Sequence, residues 1–280
     1  MKSTFVIFFS LSLLVISCGK ESKSAEELLA SAKKNYDSGD YFKAREYLAR
    51  AIKLKPSDKE IIYQMGKTYA AQNMFDSAFA SLSRADKLYP NDRPINQLLH
   101  EMSVKTEHWQ AARDALLSLA RTGDSIEQYY RPIAEYAMRD STGQVAFYYY
   151  GKLIEQYPES LNFYLNQAAA AIMQGEPQNS IDVLKAANKK FGDRAEILSG
   201  LASSYGSMGN LTEAEKIYRL LITKDSSVVY QLQLAMTLAL SDKKSKKEEA
   251  YAMFKDLRLK TANFARVDSI LATLKKDLNK

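Results

Sequence analysis

The sequence predicts an all-α protein built from repeated pairs of antiparallel helices. Only 11 of the 280 residues are glycine and 6 are proline, and long stretches are rich in Ala, Leu, Lys, Glu and Tyr. Such a composition favours helices. No segment alternates apolar and polar residues as a half-buried strand does. Small and apolar residues also recur with a period of about 34 residues, which indicates a repeat of helical units.

The period is clearest in the first two units. Ala44 and Ala51 are followed about 34 residues later by Ala78 and Ala85, and Gly66 is a further small residue in the second unit. Two helices approach closely only where the residues at their crossing are small, while larger side chains fill the remaining gaps. We therefore expect these small residues at the helix crossings.

Turn and stop residues follow the same period. Gly39 and Asn73 lie between the two helices of their units, where a left-handed backbone is expected. Pro56 and Pro90 follow the second helices, and proline cannot continue a helix. Each unit is therefore predicted to be helix, turn, helix and stop.

This pattern resembles the tetratricopeptide repeat. The resemblance implies a right-handed α-solenoid of about seven helix pairs over residues 25–260, with a C-terminal capping helix over 261–280. The third unit, 93–123, departs from the pattern, although Trp109 takes the aromatic place after its turn. The seventh unit is predicted to have a turn lengthened by residues 242–247. Related helix-pair repeats are the alternative architecture.

The N-terminus has the features of an export signal. Lys2 precedes an apolar stretch, 5–16, that is too short to span a bilayer comfortably. The following Ser17-Cys18 resembles the lipobox of bacterial lipoproteins, which implies a signal peptide over 1–17 and diacylglycerol on Cys18. A small buried cysteine is the alternative interpretation.

The residues after Cys18 predict how the protein is anchored. Residues 18–24 contain no apolar side chain that could pack after the cysteine, so they are predicted to be a polar tether. Gly19 stands where aspartate would signal inner-membrane retention, and the resemblance therefore favours the outer membrane within the bacterial cell envelope.

The sequence offers little for catalysis, metal binding or nucleic-acid recognition. The 39 basic and 33 acidic residues are interspersed, whereas nucleic-acid binding needs a clustered basic face. His100 and His108 are the only histidines; on one helix they would lie about 12 Å apart, too far to share a metal. No phosphate-binding loop or nucleophile elbow is present. We therefore expect no catalytic residues, no metal and no cofactor.

Two further residue groups have competing interpretations. The 18 tyrosines could form a ligand-binding stripe, but most occupy repeat positions that fill the core, as Tyr69, Tyr150, Tyr205 and Tyr218 do. The lysines of 243–247 are predicted to lie in a solvated turn, with contact to a membrane surface as the alternative.

In tetratricopeptide proteins the first helices of successive pairs line a concave groove. The resemblance assigns to it Leu29, Lys33, Tyr36, Tyr63, Lys67, Arg131, Glu135, Asn162 and Leu165. Their mixture of aromatic, basic and amide groups suits an extended peptide. The family's carboxylate clamp is not reproduced, because Leu29 and Leu98 stand where basic residues would be.

The resulting hypothesis is a lipid-anchored scaffold or adaptor that binds envelope proteins or extended peptides in assembly, secretion or cell-wall processes. The alternative is an accessory lipoprotein that binds a small molecule or glycan inside the superhelix. A cryptic enzyme is a third, less favoured hypothesis, because acid and base groups from distant repeats could meet unseen.

Overall fold

The computed structural model describes residues 23–260 and 265–279. These residues form fifteen α-helices and one 3-10 turn, Ile126–Tyr129. In chain order the helices are α1 Ala25–Asp37, α2 Tyr41–Leu54, α3 Lys59–Ala71, α4 Phe75–Leu88, α5 Arg93–Lys105, α6 Trp109–Arg121, α7 Tyr130–Arg139, α8 Gly143–Gln156, α9 Leu161–Met173, α10 Pro177–Phe191, α11 Ala195–Ser207, α12 Leu211–Lys224, α13 Val228–Ala239, α14 Lys244–Lys260 and α15 Ala265–Leu278. No helix within the described ranges is long and apolar enough to cross a membrane.

The helices belong to two compact units that meet in sequence at Tyr89 and Pro90. In the first unit α1 packs on α2, α2 on α3, and α3 on α4. In the second unit α5 and α6, α7 and α8, α9 and α10, α11 and α12, and α13 and α14 form pairs, and α15 packs on α14. The predicted all-α class of repeated helix pairs is therefore confirmed. The predicted repeat domain, 25–260, spans both units.

Small residues lie where the paired helices cross, as predicted. Ala78 and Ala85 are fully buried on α4. Opposite them, a Cβ atom added at Gly66 of α3 would lie 2.7 Å from Cγ of the fully buried Leu82. Because an interior side chain has no free space to move into, this crossing requires glycine.

The turns and helix ends also follow the prediction. Gly39 and Asn73 have φ angles of 81° and 58°, in the left-handed region. Helix α2 ends ahead of Pro56 and helix α4 ends ahead of Pro90. Both features act locally, since they depend only on the backbone preferences of single residues.

Helix α1 begins with a capping box. The Ser24 hydroxyl accepts a hydrogen bond from the Glu27 backbone N–H, and the Glu27 carboxylate accepts one from the Ser24 backbone N–H. Such a cap is worth about 1 kcal/mol. Ser24 belongs to the predicted polar tether, and in the structure it is the N-cap of α1. Cys18, the signal segment 1–17 and residues 19–22 of the tether lie outside the described residues.

The prediction of a long turn in the seventh unit is wrong. Helix α14 begins at Lys244, so most of the lysine run is helical. Lys246 Nζ lies 2.5 Å from a Glu215 carboxylate oxygen, and Lys247 Nζ lies 3.3 Å from an Asp277 oxygen. Both lysines thus lie beside carboxylates of neighbouring helices.

The C-terminal helix α15 covers part of the last pair. Val267 and Leu274 are buried in the same apolar cluster as Phe254 of α14. This packing is what a capping helix requires. Of the predicted capping segment, residues 261–264 and Lys280 lie outside the described residues.

Replacement of Gly66 by alanine tests the close crossing. We expect Gly66→Ala to lower the free energy of unfolding by about 1–3 kcal/mol, because Leu82 cannot give way. The measurement is urea unfolding followed by circular dichroism. Gly206→Ala is the control: Gly206 is also helical, but a Cβ there has no neighbour within 4 Å, so we expect a gain of up to about 1 kcal/mol. If Gly66→Ala and Gly206→Ala changed the free energy of unfolding equally, the close crossing at Gly66 would not be limiting.

Candidate functional site

The predicted partner-binding residues all lie on first helices of their pairs. In the first unit α1 carries Leu29, Lys33 and Tyr36, and α3 carries Tyr63 and Lys67. In the second unit α7 carries Arg131 and Glu135, and α9 carries Asn162 and Leu165. Their role in binding stays a prediction, and the two sets lie in different units.

In the first unit, side chains of α1 and α3 meet directly. Lys33 Nζ lies 2.5 Å from Oε1 of Glu60. One helical turn or more further along, Lys67 Nζ lies 4.4 Å from the centroid of the Tyr36 ring. We call these four residues, together with Tyr63, the α1/α3 strip. The strip alternates ammonium groups, tyrosine rings and one carboxylate on neighbouring first helices.

The ionic groups of the strip remain accessible. The Lys33 and Glu60 side chains are 45% and 40% exposed, and exposed ion pairs contribute only about 0–1 kcal/mol. Burial raises the pKa of Glu60, but hydrogen bonds from Lys33 and Gln64 outweigh it, so the net pKa is lowered and the group is anionic at neutral pH. The pair can therefore open for an incoming charged group at little cost.

Tyr36 of the strip stays neutral at physiological pH. Partial burial, with Tyr41 and Tyr63 nearby, raises the pKa of the Tyr36 hydroxyl. The Tyr36 and Tyr41 rings also contact each other, with centroids 5.2 Å apart. A neutral ring beside an ammonium group provides a cation–π contact and an apolar face for a peptide side chain.

In the second unit, α7 and α9 provide a smaller polar group. Arg131 Nε lies 3.3 Å from Oε1 of Glu135, and its guanidinium carbon lies 5.7 Å from the centroid of the Phe163 ring. Asn162, which precedes Phe163 in the sequence, is exposed. Leu165, by contrast, is half-buried against the core of its unit.

Leu29 resembles Leu165 in this respect. It is half-buried against the apolar cluster of the first unit, so these two predicted binding residues contribute much of their surface to packing.

Glu60 is a strip residue that the sequence analysis does not predict. Its position one repeat after Glu26, at the start of a first helix, is the signal that could have identified it.

The histidines are placed in polar and aromatic packing. His100 Nε2 lies 3.1 Å from the Tyr136 hydroxyl, and His108 Nδ1 lies 2.8 Å from the Thr106 hydroxyl. Within residues 23–260 and 265–279, no group of three or more His, Cys, Asp or Glu side chains could hold a metal ion. His100 is half-buried, whereas His108 is exposed.

An aromatic cluster around His100 was missed by the sequence analysis. The Trp109 ring stacks on Tyr136 with centroids 5.7 Å apart, and the Arg139 guanidinium lies 4.5 Å over Trp109. The cluster joins α5, α6 and α7. Its signal in the sequence is weak, because His100 and Tyr136 are separated by about one repeat, as are many residues that never touch.

The predicted core role of the repeat tyrosines is confirmed. Tyr150 and Tyr218 are buried, and Tyr69 and Tyr205 are half-buried against apolar clusters. Tyr148 differs, because its side chain is largely exposed.

We expect the His100 ring protons to titrate below pH 6.5 in an NMR pH titration, with His100→Gln identifying the resonance. Burial lowers the pKa of His100 below 6.5, and Glu101 only partly opposes it. The folded protein therefore binds this proton more weakly than the unfolded chain. The contribution of His100 to the stability of the folded protein is present above pH 6.5 and is lost as the pH falls below that value. A midpoint at or above 6.5 would contradict the burial of this ring.

Comparisons with known proteins identify the repeats. Two family models, each described as tetratricopeptide repeat, match residues 35–102 and 195–225. A chain from the structure of Naa15/Naa10 bound to HypK-THB is 16% identical, with a TM-score of 0.59 over 87% of this chain. This chain spans only 38% of that one. The chain thus contains tetratricopeptide repeats and has the predicted α-solenoid fold class.

A second solved structure is a tetratricopeptide repeat protein from Parabacteroides merdae ATCC 43184. It is 17% identical and aligns over 91% of this chain and 100% of its own, with a TM-score of 0.45. Proteins built from such repeats generally serve as non-catalytic scaffolds for protein interactions.

Proposed function

We propose that this chain is a lipid-anchored scaffold or adaptor of the bacterial cell envelope, which gathers protein partners and is not an enzyme. The observation that carries the interaction role is the α1/α3 strip. Its exposed Lys33–Glu60 pair and its half-buried Lys67 and tyrosine rings lie on the first helices of two successive repeats, where tetratricopeptide scaffolds bind their partners.

The chemistry of the strip favours an extended peptide with acidic and apolar side chains. A carboxylate of the peptide can replace Glu60 as the partner of Lys33, because the exposed pair is weak. The rings of Tyr36 and Tyr63 offer large contact areas with little loss of conformational entropy. Lys67, already held against Tyr36, offers a second charge.

The sequence supports the membrane anchor. Ser17-Cys18 follows the apolar stretch 5–16, and Gly19 favours the outer membrane. Helix α1 begins at Ala25 with its own cap, so only a short polar segment would separate a lipid on Cys18 from the first repeat. One acyl chain alone binds membranes weakly, whereas the several chains of a lipoprotein anchor stably.

A crosslinking pull-down from intact cells tests the interaction role. We expect the double variant Tyr63→Ala with Lys67→Glu to reduce capture of the recurrent envelope partners about tenfold or more, since it removes a ring and reverses a charge. Captured chains are identified by mass spectrometry against a control that carries only the lipoprotein signal.

Two controls make this result specific. Arg50→Glu reverses an exposed charge on α2, outside the strip, and should leave capture unchanged. The melting temperature of the double variant should remain within about 4 °C of the wild type. If the double variant captured the same partners as the wild type, the strip would not be the interaction site.

Replacement of Cys18 tests the anchor. We expect Cys18→Ala to move the signal-cleaved protein from the membrane fraction to the soluble fraction, because no acyl chain can then be attached. Fractionation is done at high salt to remove purely electrostatic binding. A cleaved Cys18→Ala protein that stayed on the membrane under these conditions would exclude the lipid anchor.

A further inference from the structure

A shallow cavity runs along α8, the second helix of the fourth pair. Its volume is about 620 Å³, and apart from Gln167 of α9 its lining comes from α8. This volume is within the range of small-molecule sites, about 300–1,000 Å³. The cavity lies in the second unit, whereas the α1/α3 strip lies in the first.

One wall of the cavity is an exposed aromatic ring. The Tyr148 side chain is 57% exposed and meets Tyr149 edge-on, with centroids 5.1 Å apart. Tyr149 in turn contacts Tyr130 of α7 at 5.6 Å, and both are half-buried against the core. The exposed ring is therefore supported by a packed row of tyrosines.

Charged hydrogen-bonding groups lie beside this ring. Lys152 Nζ lies 2.8 and 3.1 Å from the two carboxylate oxygens of Glu155, and 5.9 Å from the centroid of Tyr148. The Lys152 and Glu155 side chains are 33% and 66% exposed. Donor and acceptor groups are thus both available to a ligand that lies on the ring.

The other side of the cavity carries an amide in a defined position. Gln167 Nε2 donates a hydrogen bond to the Phe147 carbonyl oxygen at 3.2 Å. A Cβ at Gly151 would lie 2.9 Å from that same nitrogen, so the glycine makes room for the amide. The oxygen of the Gln167 amide is not used in this hydrogen bond and is an acceptor beside the cavity.

These groups match the surface of a pyranose sugar. A pyranose with equatorial hydroxyls has a flat face of C–H groups, which stacks on an aromatic ring, and a rim of hydroxyls that both donate and accept. The apolar part of the lining is mostly aromatic, with Phe147, Tyr148 and Tyr149. Val145 is the one aliphatic side chain of the lining, and it is half-buried.

We propose that this cavity binds an oligosaccharide of equatorially substituted pyranoses. Tyr148 stacks on the flat face of one sugar ring, and Lys152, Glu155 and Gln167 bind its hydroxyls. The proposal does not depend on the peptide site, because the residues of the two sites belong to different units.

Isothermal titration calorimetry of the full chain tests this site, with cellotetraose and chitotetraose as separate probes. Each probe is added to about 10 mM, a concentration at which binding with a Kd near 1 mM is detected. We expect at least one probe to bind. Tyr148→Ala should weaken binding about tenfold or more, and Tyr148→Phe should retain it, because the ring face is unchanged.

Tyr157→Ala is the matched control. Tyr157 is also 57% exposed but follows the end of α8 and does not line the cavity, so this variant should bind like the wild type. Absence of binding by both probes, or equal binding by the wild type and Tyr148→Ala, would overturn the proposal.

The envelope pull-down separates this site from the peptide site. Capture of partners should be the same for Tyr148→Ala and the wild type, whatever the result for the α1/α3 strip. Loss of a protein partner in Tyr148→Ala, with no sugar bound, would show that the cavity is a protein-docking surface and overturn the saccharide proposal.

Discussion

The repeat depends on one packing constraint: the second helix of each pair must present a very small side chain where it crosses its neighbours. In all seven pairs of the described chain this residue is fully buried. The set is Ala44, Ala78, Ala112, Ala146, Ser180, Ala214 and Ala250. A larger side chain there would separate the helices and open gaps along the rest of the interface. The serine in this set keeps its hydroxyl satisfied, since Ser180 Oγ lies 2.8 Å from Ser204 Oγ on α11.

This constraint also decides which surfaces remain for function. Because the small residues bring the helices together, the apolar side chains around each crossing are used in packing, and Leu29 and Leu165 are partly drawn into it. Side chains that point away from the crossings keep their rings and charges available. The α1/α3 strip and the cavity beside Tyr148 are both of this kind, so changes there should affect binding more than stability.

The third and fourth pairs show how polar contacts replace missing repeat residues. Arg113 of α6 is 8% exposed, and its Nη1 lies 2.5 Å from an Asp140 oxygen and 3.1 Å from the Thr142 hydroxyl. A buried charge is tolerated only with such partners, and removal of one partner is costly. Together with the stacking of Trp109 on Tyr136, this bridge joins α6 to the α7–α8 turn and explains why a degenerate unit still packs.

The helix-pair repeat, its helix ends and most of its turns follow from the sequence alone, because left-handed glycine or asparagine and helix-stopping proline act through local backbone preferences. The turn predicted over 242–247 is the exception. The resemblance to tetratricopeptide proteins also places four of the five strip residues on first helices by register, as the structure has them. Which side chains meet across repeats depends on how the helices pack, as for Lys67 with Tyr36 and Lys246 with Glu215. Tyr148 and Tyr150 are near neighbours in sequence, yet one is exposed and the other buried. Each residue turns a helix by about 100°, and only packing against neighbouring helices determines which direction is covered.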